Sequence, residues 1–117
     1  MEEIMTNYEL QALRKLLFLD VAEAAKEVGE VTTRTWQRWE DGSRKVPQDI
    51  ADQMNDWCQF YSDMLDDKRM NNKDITYYKT LDSYEAATGK RNVVVWRLTQ
   101  AIYSILLLER LRTNGLD

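Results

Sequence analysis

Residues 31–47 read VTTRTWQRWEDGSRKVP, and this stretch contains two of the four tryptophans of the chain and its densest group of basic side chains. Residues 31–45 carry four basic and two acidic side chains, whereas the whole chain has a net charge of −4. A threonine before the tryptophans and a glycine after them are typical of the two ends of a helix. The sequence therefore predicts a helix that is capped by Thr32 and stopped by Gly42.

The two tryptophans and the two arginines of this helix fall on opposite faces. Successive residues of an α-helix are about 100° apart, which places Trp36, Trp39 and Glu40 together and Arg34 and Arg38 across the helix from them. Aromatic residues at helical spacing usually pack inward, so the tryptophans are predicted to anchor the helix to the core. The alternative is that the tryptophans stack on nucleic-acid bases.

The polar face of this helix has the residue types that read DNA. Arginine binds guanine through two hydrogen bonds, glutamine binds adenine, and a threonine methyl group contacts the thymine methyl group. Threonines at a helix N-terminus can hold a phosphate, and Arg44 and Lys45 follow the glycine where a backbone phosphate would pass. We therefore predict that Arg34 and Arg38 read bases; the alternative is a solvated charged surface.

Glu40 falls on the buried side of the helix and needs a cationic partner. Arg14 is the natural candidate, since the first helix of the chain has to cross the third. A buried pair of this kind contributes specificity more dependably than stability. The alternative is two solvated charges.

Two helices are predicted before this stretch. Thr6 and Glu9 form a capping box at the start of the first, and Asp20 and Glu23 form another at the start of the second. Gly29 is predicted to end the second helix in the left-handed conformation. Two short helices separated by about three residues with a glycine match a helix-turn-helix. The first four residues are predicted to be a loose extension.

The rest of the chain is predicted to be mainly helical. Pro47 suits the first turn of a fourth helix that runs to Met70, and its apolar residues recur in steps of four and three, as in a coiled coil. A break at residues 71–74 is followed by ITYYK at residues 75–79, a predicted short strand. A short helix at residues 81–88 and a last helix from residue 93, apolar on most sides, follow; the first residues of the last helix could instead be extended.

These elements predict a mainly α fold class, with a helix-turn-helix domain at residues 5–46, a dimerisation domain at residues 47–117 and at most one short strand. A single recognition helix covers too few base pairs to select one site in a genome, whereas a two-fold dimer on an inverted repeat reads two half-sites. The predicted dimer interface consists of the apolar positions Ile50, Met54, Trp57, Tyr61, Met64, Trp96, Leu98, Ile102, Ile105 and Leu108. The alternative is that these helices pack on each other within one chain.

Composition argues against an enzyme. The chain has no histidine and one cysteine, which excludes histidine-based nucleophile pairs, histidine metal sites and an internal disulfide. Cys58 lies in an apolar-periodic segment and is predicted to be a buried, inert thiol. Neither a glycine-rich phosphate loop nor spaced metal ligands are present, so we predict no metal, no cofactor and no small-molecule ligand. The longest apolar run is too short to span a membrane, and we predict a cytoplasmic protein with no membrane partner.

The pattern EAAKEVG…T…TWQRWEDGSRKVP resembles the lambda-repressor/Cro-like helix-turn-helix class. The segments MTNYELQALRKLLFLDVAEAA, WQRWEDGSRKVP, YYKTLDSYEA and NVVVWRLTQAI resemble the YdiL-like proteins, a group that includes the second class of anti-CRISPR-associated repressors of phages and mobile elements. In that family an N-terminal helix-turn-helix domain is joined to a C-terminal dimerisation domain. The resemblance implies a homodimer on inverted repeats in the promoter of its own operon, which often also encodes an anti-CRISPR protein, and hence a protein of the bacterial host cytoplasm.

The resemblance also assigns roles to individual residues. It implies base reading by Thr33, Arg34, Gln37 and Arg38, phosphate contacts by Thr32, Thr35, Arg44 and Lys45, and a buried ion pair between Arg14 and Glu40. Compared with the shortest repressors, one extra residue separates Gly29 from the third helix, so which threonine caps that helix is left open.

Two other functions compete with a DNA-binding repressor. An antitoxin-like protein-interaction module would use the same fold, and the acidic fourth helix would suit a basic partner. RNA binding by the same basic face is a third possibility, although the sequence has no RNA-binding motif of its own.

Overall fold

The structure is a computed structural model that describes residues 5–71 and 75–113. Within these ranges the chain is mainly helical and contains no strand, so the predicted fold class is confirmed. The helices are α1 (Asn7–Leu16), α2 (Val21–Ala24), α3 (Thr33–Glu40), α4 (Gln48–Met70), α5 (Leu81–Thr88) and α6 (Val93–Thr113). The predicted extension at residues 1–4 and residues 72–74 of the predicted break lie outside the described residues.

The described residues form two compact units that meet between Phe60 and Tyr61 along the chain, and α4 contributes to both. The sequence-based division between residues 46 and 47 separates residues predicted to bind DNA from residues predicted to form a dimer. It is a division by function and stays a prediction. Among the described residues, no helix has the length and apolar character that crossing a membrane requires.

Both predicted capping boxes are present in the first unit. The Thr6 hydroxyl accepts a hydrogen bond from the Glu9 N–H at 3.1 Å, and the Glu9 carboxylate accepts one from the Thr6 N–H at 2.8 Å. Asp20 and Glu23 repeat this arrangement at 2.7 and 3.0 Å. Each box satisfies N–H groups that the first turn of a helix leaves without a partner. The sequence therefore fixes where both helices begin.

The prediction that Gly29 is the left-handed cap of the second helix is wrong. After α2 the chain continues into a wider turn, Ala25–Gly29, and the left-handed residue is Glu30, with a φ of 52°. The N–H groups of Glu30 and Val31 both donate to the Ala25 carbonyl, the second at 2.9 Å. Because of this wider turn, the cap that ends the helical segment is Glu30, one residue later than the sequence pattern predicts.

Gly29 is closely packed against its neighbours. A Cβ atom at this position would lie 3.1 Å from the Trp36 ring and 3.0 Å from the Val31 side chain. These distances are shorter than ordinary van der Waals contact, so even alanine would push against the ring. The glycine therefore lets the turn before α3 approach the buried face of α3.

The tryptophans of α3 pack inward, as predicted. Trp36 is fully buried and Trp39 is 6% exposed, with their ring centroids 5.4 Å apart. The helix packs against α1 and α2. Gly42, with a φ of 87°, follows its last residues and stops it, as predicted. The two large rings fix the rotation of α3 and so decide which of its side chains face solvent.

The long helix α4 begins after Pro47, whose carbonyl accepts hydrogen bonds from the N–H groups of Ile50 and Ala51. Its single thiol, Cys58, is half-buried, which is less than the full burial predicted. Burial raises the pKa of the Cys58 thiol above its usual value, so the neutral thiol form prevails.

The prediction of a short strand at residues 75–79, in the second unit, is wrong. Residues 75–79 are irregular, and the Tyr78 carbonyl accepts hydrogen bonds from Trp96 Nε1 at 2.7 Å and Gln100 Nε2 at 3.0 Å. Aromatic and β-branched residues favour a strand only where a partner strand is available. Here side-chain donors of α6 bond the backbone of this segment in place of a neighbouring strand.

The last helix is helical from its first residues. The Asn92 side chain accepts a hydrogen bond from the Val95 N–H at 3.0 Å, and its carbonyl accepts one from Trp96. Asn92 therefore acts as an N-cap, and the alternative of an extended start is wrong. The helix packs against α5, and Arg69 at the end of α4 pairs with Glu109.

Candidate nucleic-acid interface

The N-terminus of α3 is capped by Thr32. Its hydroxyl accepts a hydrogen bond from the Thr35 N–H at 3.2 Å, and the two hydroxyls are 3.1 Å apart. Thr32 is exposed and Thr35 is half-buried. This settles which threonine caps the helix. It also places both hydroxyls beside the N-terminal end of the helix dipole, where an anion is favoured.

The exposed face of α3 carries the four side chains for which base reading was predicted. Thr33, Arg34 and Gln37 are exposed and Arg38 is half-buried. All four belong to the same two-turn helix, and Arg34 and Arg38 lie opposite its buried tryptophans. We call this set the α3 polar face. It presents guanidinium, amide and hydroxyl groups to solvent, which together can donate to and accept from base edges.

The turn after α3 has a backbone that is tied to the helix. The Asp41 carboxylate accepts a hydrogen bond from the Ser43 N–H at 2.7 Å, and the Arg44 N–H donates to the Arg38 carbonyl at 3.1 Å. Arg44 and Lys45 are both exposed. These two cations therefore lie on a defined turn directly after the α3 polar face, where they can contact phosphates that flank a bound groove.

The structure brings Arg14 and Glu40 together. Arg14 Nε and Nη2 donate to the two Glu40 carboxylate oxygens at 2.6 and 3.0 Å, and Arg14 Nη1 donates to the Leu19 carbonyl at 3.0 Å. Trp36 Nε1 also donates to Glu40, at 2.6 Å. The Arg14 side chain is 10% exposed and that of Glu40 is 7% exposed. One fork of hydrogen bonds thus joins α1, the α1–α2 turn and the buried face of α3.

The environment of Glu40 favours its charged form. Burial alone would raise its pKa, but hydrogen bonds from Arg14 and Trp36, together with the Arg14 charge, hold the pKa of Glu40 below its ordinary value. The carboxylate is therefore ionised at neutral pH and stays paired with the guanidinium. This makes the pair a fixed part of the support beneath the α3 polar face.

Asn7 belongs to this support, and sequence reasoning missed it. Its side-chain amide donates to the Glu40 backbone carbonyl at 3.1 Å and lies close to Gly42. The first residue of α1 thus caps the last turn of α3. An asparagine at the start of a helix has no sequence pattern that links it to a carbonyl 33 residues away.

The structure separates the predicted dimer residues into covered and uncovered groups. Six of them are already buried within one chain: Ile50, Met54, Tyr61, Trp96, Leu98 and Ile102. Trp57, Met64 and Ile105 are half-buried, and Leu108 is 53% exposed. A side chain that is buried within its own chain has little surface left for a second copy.

Apolar surface remains uncovered on the second half of α6. A shallow cavity of about 420 Å³ is lined there by Tyr77, Tyr103, Ser104, Leu107, Leu108 and Leu111. Tyr77 is 49% exposed and its ring lies 5.3 Å from that of Tyr103. We call this set the α6 apolar patch. Only Leu108 of this patch was among the residues that the sequence pattern assigned to an interface.

Comparison with known proteins extends over almost the whole chain. The sequence profile of the Aca2/YdiL-like family matches residues 5–114. The chain is 42% identical over 110 residues to the Aca2 repressor of Pectobacterium phage ZF40, an alignment that covers 90% of this chain and 95% of that protein. It is 25% identical over 117 residues to the uncharacterized protein YdiL of Escherichia coli (strain K12), covering 92% of this chain and 99% of that protein.

Proposed function

The chain belongs to the Aca2/YdiL-like family, and we propose that it is a transcriptional repressor that binds a specific DNA sequence through the α3 polar face. One observation carries the proposal. Buried tryptophans and the Arg14–Glu40 pair hold one side of α3, while Thr33, Arg34 and Gln37 are exposed to solvent. A short helix that is rigidly held and presents such groups fits the major groove of B-DNA.

The charge distribution supports a local interface. The chain as a whole is acidic, with a net charge of −4, so attraction to DNA has to come from the cations on and after α3. Thr32 and Thr35 at the helix N-terminus, with Arg44 and Lys45 on the turn, flank the α3 polar face at both ends. We propose that these four residues contact the phosphates on either side of the groove.

Lys45→Ala is expected to weaken binding to all duplexes to a similar degree. An exposed lysine on a phosphate gives sequence-independent affinity, and its loss should lower the slope of log affinity against log salt by about one unit. Titrations of a specific and a random duplex at several salt concentrations measure both effects. Lys90→Ala removes the same charge from an exposed position outside α3 and its turn, and it should leave the slope unchanged. A loss confined to one sequence would show that Lys45 reads bases.

We propose that the repressor acts as a homodimer on an inverted repeat. Two copies related by a two-fold axis present two copies of α3 to half-sites about 34 Å apart, or a multiple of that spacing. One chain leaves the α6 apolar patch uncovered, with Leu108 53%, Leu111 39% and Leu107 36% exposed, and of these three only Leu108 belongs to the interface predicted from the sequence. A second copy of the same patch would cover these leucines.

Leu108→Lys is expected to convert dimers into monomers with unchanged helix content. The side chain is exposed within one chain, so a lysine there disturbs no core, but it would place a charge in an apolar contact between copies. Light scattering at micromolar concentration measures the mass. Leu16→Lys is the matched control, because Leu16 is a 41% exposed leucine of α1. A wild-type monomer that binds its site with full affinity would exclude the dimer.

The proposed site is the promoter of the operon that encodes this chain, of the anti-CRISPR type. The 42% identical relative is a phage protein named as a repressor, and autoregulation by an inverted repeat is what the family resemblance implies. Such a role places the protein in the cytoplasm of a bacterial host. The experiment is selection of duplexes from a randomised pool by the purified protein. Enrichment of one inverted repeat supports the proposal; equal recovery of all sequences, or tighter binding to RNA of the selected sequence, contradicts it.

A further inference from the structure

An acidic side chain extends the same face of α3 that carries the two arginines. Asp41 follows Arg34 by seven residues and Arg38 by three, and its own φ of −85° and ψ of −5° continue the helical course. At 100° per residue the three side chains point within about 60° of one another, and seven residues span about 10 Å. That length corresponds to about three base-pair steps of 3.4 Å. Asp41 is exposed.

The Asp41 carboxylate is held in one position. The Ser43 N–H donates to Oδ1 at 2.7 Å. A carboxylate accepts about four hydrogen bonds, so the group keeps capacity for a further donor. Hydrogen bonds from Ser43 hold the pKa of Asp41 below its usual range, with smaller contributions from the charges of Arg38 and Arg34. The group is therefore ionised at neutral pH and can only accept hydrogen bonds.

The turn itself needs an oxygen at this position. The bond from the Ser43 N–H requires an oxygen acceptor, and an asparagine amide would supply one. A negative charge beside a groove lined by phosphates weakens DNA binding wherever no donor meets it. A carboxylate at this place thus discriminates between duplexes that present a hydrogen-bond donor and those that do not.

We propose that Asp41 is a specificity-determining residue that accepts a hydrogen bond from an exocyclic amino group in the major groove, the N4 amino group of cytosine. Carboxylates pair with this group by geometry, as arginine pairs with guanine. Along the groove, Arg34 and Arg38 then offer hydrogen-bond donors, and Asp41 offers acceptor oxygens. Base pairs that place only acceptors opposite the carboxylate are rejected because a desolvated, unpaired charge is costly. The inference rests on the proposed DNA-binding function.

The test compares wild type with Asp41→Asn. The amide keeps an acceptor for Ser43 but removes the charge and adds donors, so it can also pair with guanine or thymine, which offer only acceptors in the major groove. Each protein selects duplexes from the same randomised pool. The variant should lose its preference at one base pair of each half-site and keep it at the others. On single duplexes, replacing the selected cytosine should weaken wild-type binding about 10-fold and variant binding hardly at all.

Controls separate this role from others. Asp56→Asn removes the same charge from an exposed position of α4 and should leave every preference unchanged. Equal melting temperatures of wild type and Asp41→Asn show that the turn is intact, and Asp41→Ser serves as a second variant with an oxygen acceptor if they differ. A uniform rise in affinity for all duplexes would mean that Asp41 only repels phosphates, and unchanged preferences would also overturn the inference. A wild type that selects no sequence would instead overturn the proposed function.

Discussion

Replacing Arg14 with methionine should lower the free energy of unfolding by about 3–5 kcal/mol. The change leaves the Glu40 carboxylate buried with neutral donors, the Trp36 indole and the Gln11 side chain, and it leaves the Leu19 carbonyl without the Arg14 donor. Uncompensated burial of a charge is among the most costly effects of a single substitution. Urea unfolding followed by circular dichroism measures the loss as a shift in midpoint at constant slope.

The paired replacement distinguishes burial of a charge from loss of packing. Arg14→Met together with Glu40→Leu should be much less destabilising than either change alone, because no charge is then left buried. Arg91, which pairs with Asp82 and Glu85, is the control. Its side chain is 53% exposed, so Arg91→Met should change the midpoint little. Strictly additive effects of the Arg14 and Glu40 changes would mean that the two charges do not stabilise each other.

The same pair makes stability depend on pH in acid. The pKa of Glu40 is lowered on folding, so the unfolded chain binds more protons and stability rises with pH. The contribution is complete above the ordinary value of 4.5 and is lost as the pH falls through the lower folded pKa. Glu40→Gln removes this contribution, and the wild-type midpoint should therefore fall more steeply than that of the variant as the pH falls below 4.5.

Replacing both reading arginines should abolish specific DNA binding and leave the fold intact. Arg34→Ala and Arg38→Ala should each cost about 1–3 kcal/mol of binding free energy, and each should relax the preference at one base pair. Neither side chain has a burial or an ion pair comparable to that of Arg14, so helix content and melting temperature should hardly change. Titration of the selected duplex by gel shift or anisotropy measures the loss.

Arg91→Ala is the matched control for the reading arginines. Arg91 is a 53% exposed arginine that lies outside α3 and its turn and outside the α6 apolar patch. Its replacement removes the same charge and should leave affinity for the selected duplex within twofold or so of wild type. Equal binding of the selected duplex by wild type and by the Arg34→Ala, Arg38→Ala double variant would refute the assignment of the α3 polar face.

Helix boundaries were predictable where side chains within a few residues decide them. Thr6 with Glu9 and Asp20 with Glu23 are complete signals in the sequence, and each box forms in the structure. The burial of the tryptophans follows from helical periodicity alone, because an amphipathic helix packs its apolar side against the core. A local rule also favoured Thr32 as the cap of α3, but the extra residue after Gly29 left the choice among the threonines open, and the structure decides it for Thr32.

Other features depend on contacts between distant residues. Gly29 is the residue type that usually forms a left-handed cap. In the structure, however, its lack of a side chain makes room for the ring of Trp36. The residues at 75–79 have strand propensity, yet Trp96 and Gln100 bond their backbone. Asn7 reaches Glu40 only because α1 crosses α3. Local patterns do not contain this information.

The apolar residues of the C-terminal half illustrate a further limit. Periodicity marks the side of a helix that avoids water and does not distinguish a core from an interface between copies. Leu98 is fully buried within one chain, whereas Leu108 on the same helix is 53% exposed. The sequence pattern assigned both to one interface. Only the folded chain separates the part of α6 that is covered from the α6 apolar patch.

Protection from nuclease of the DNA just upstream of the gene tests the central claim most directly. The purified chain should protect one inverted repeat, with half-sites about 34 Å or a multiple of that distance apart on the same face of the duplex. Protection should disappear with the Arg34→Ala, Arg38→Ala double variant at the same concentration and salt. Uniform protection of all DNA, or a wild-type footprint that the double variant reproduces, would contradict sequence-specific recognition by α3.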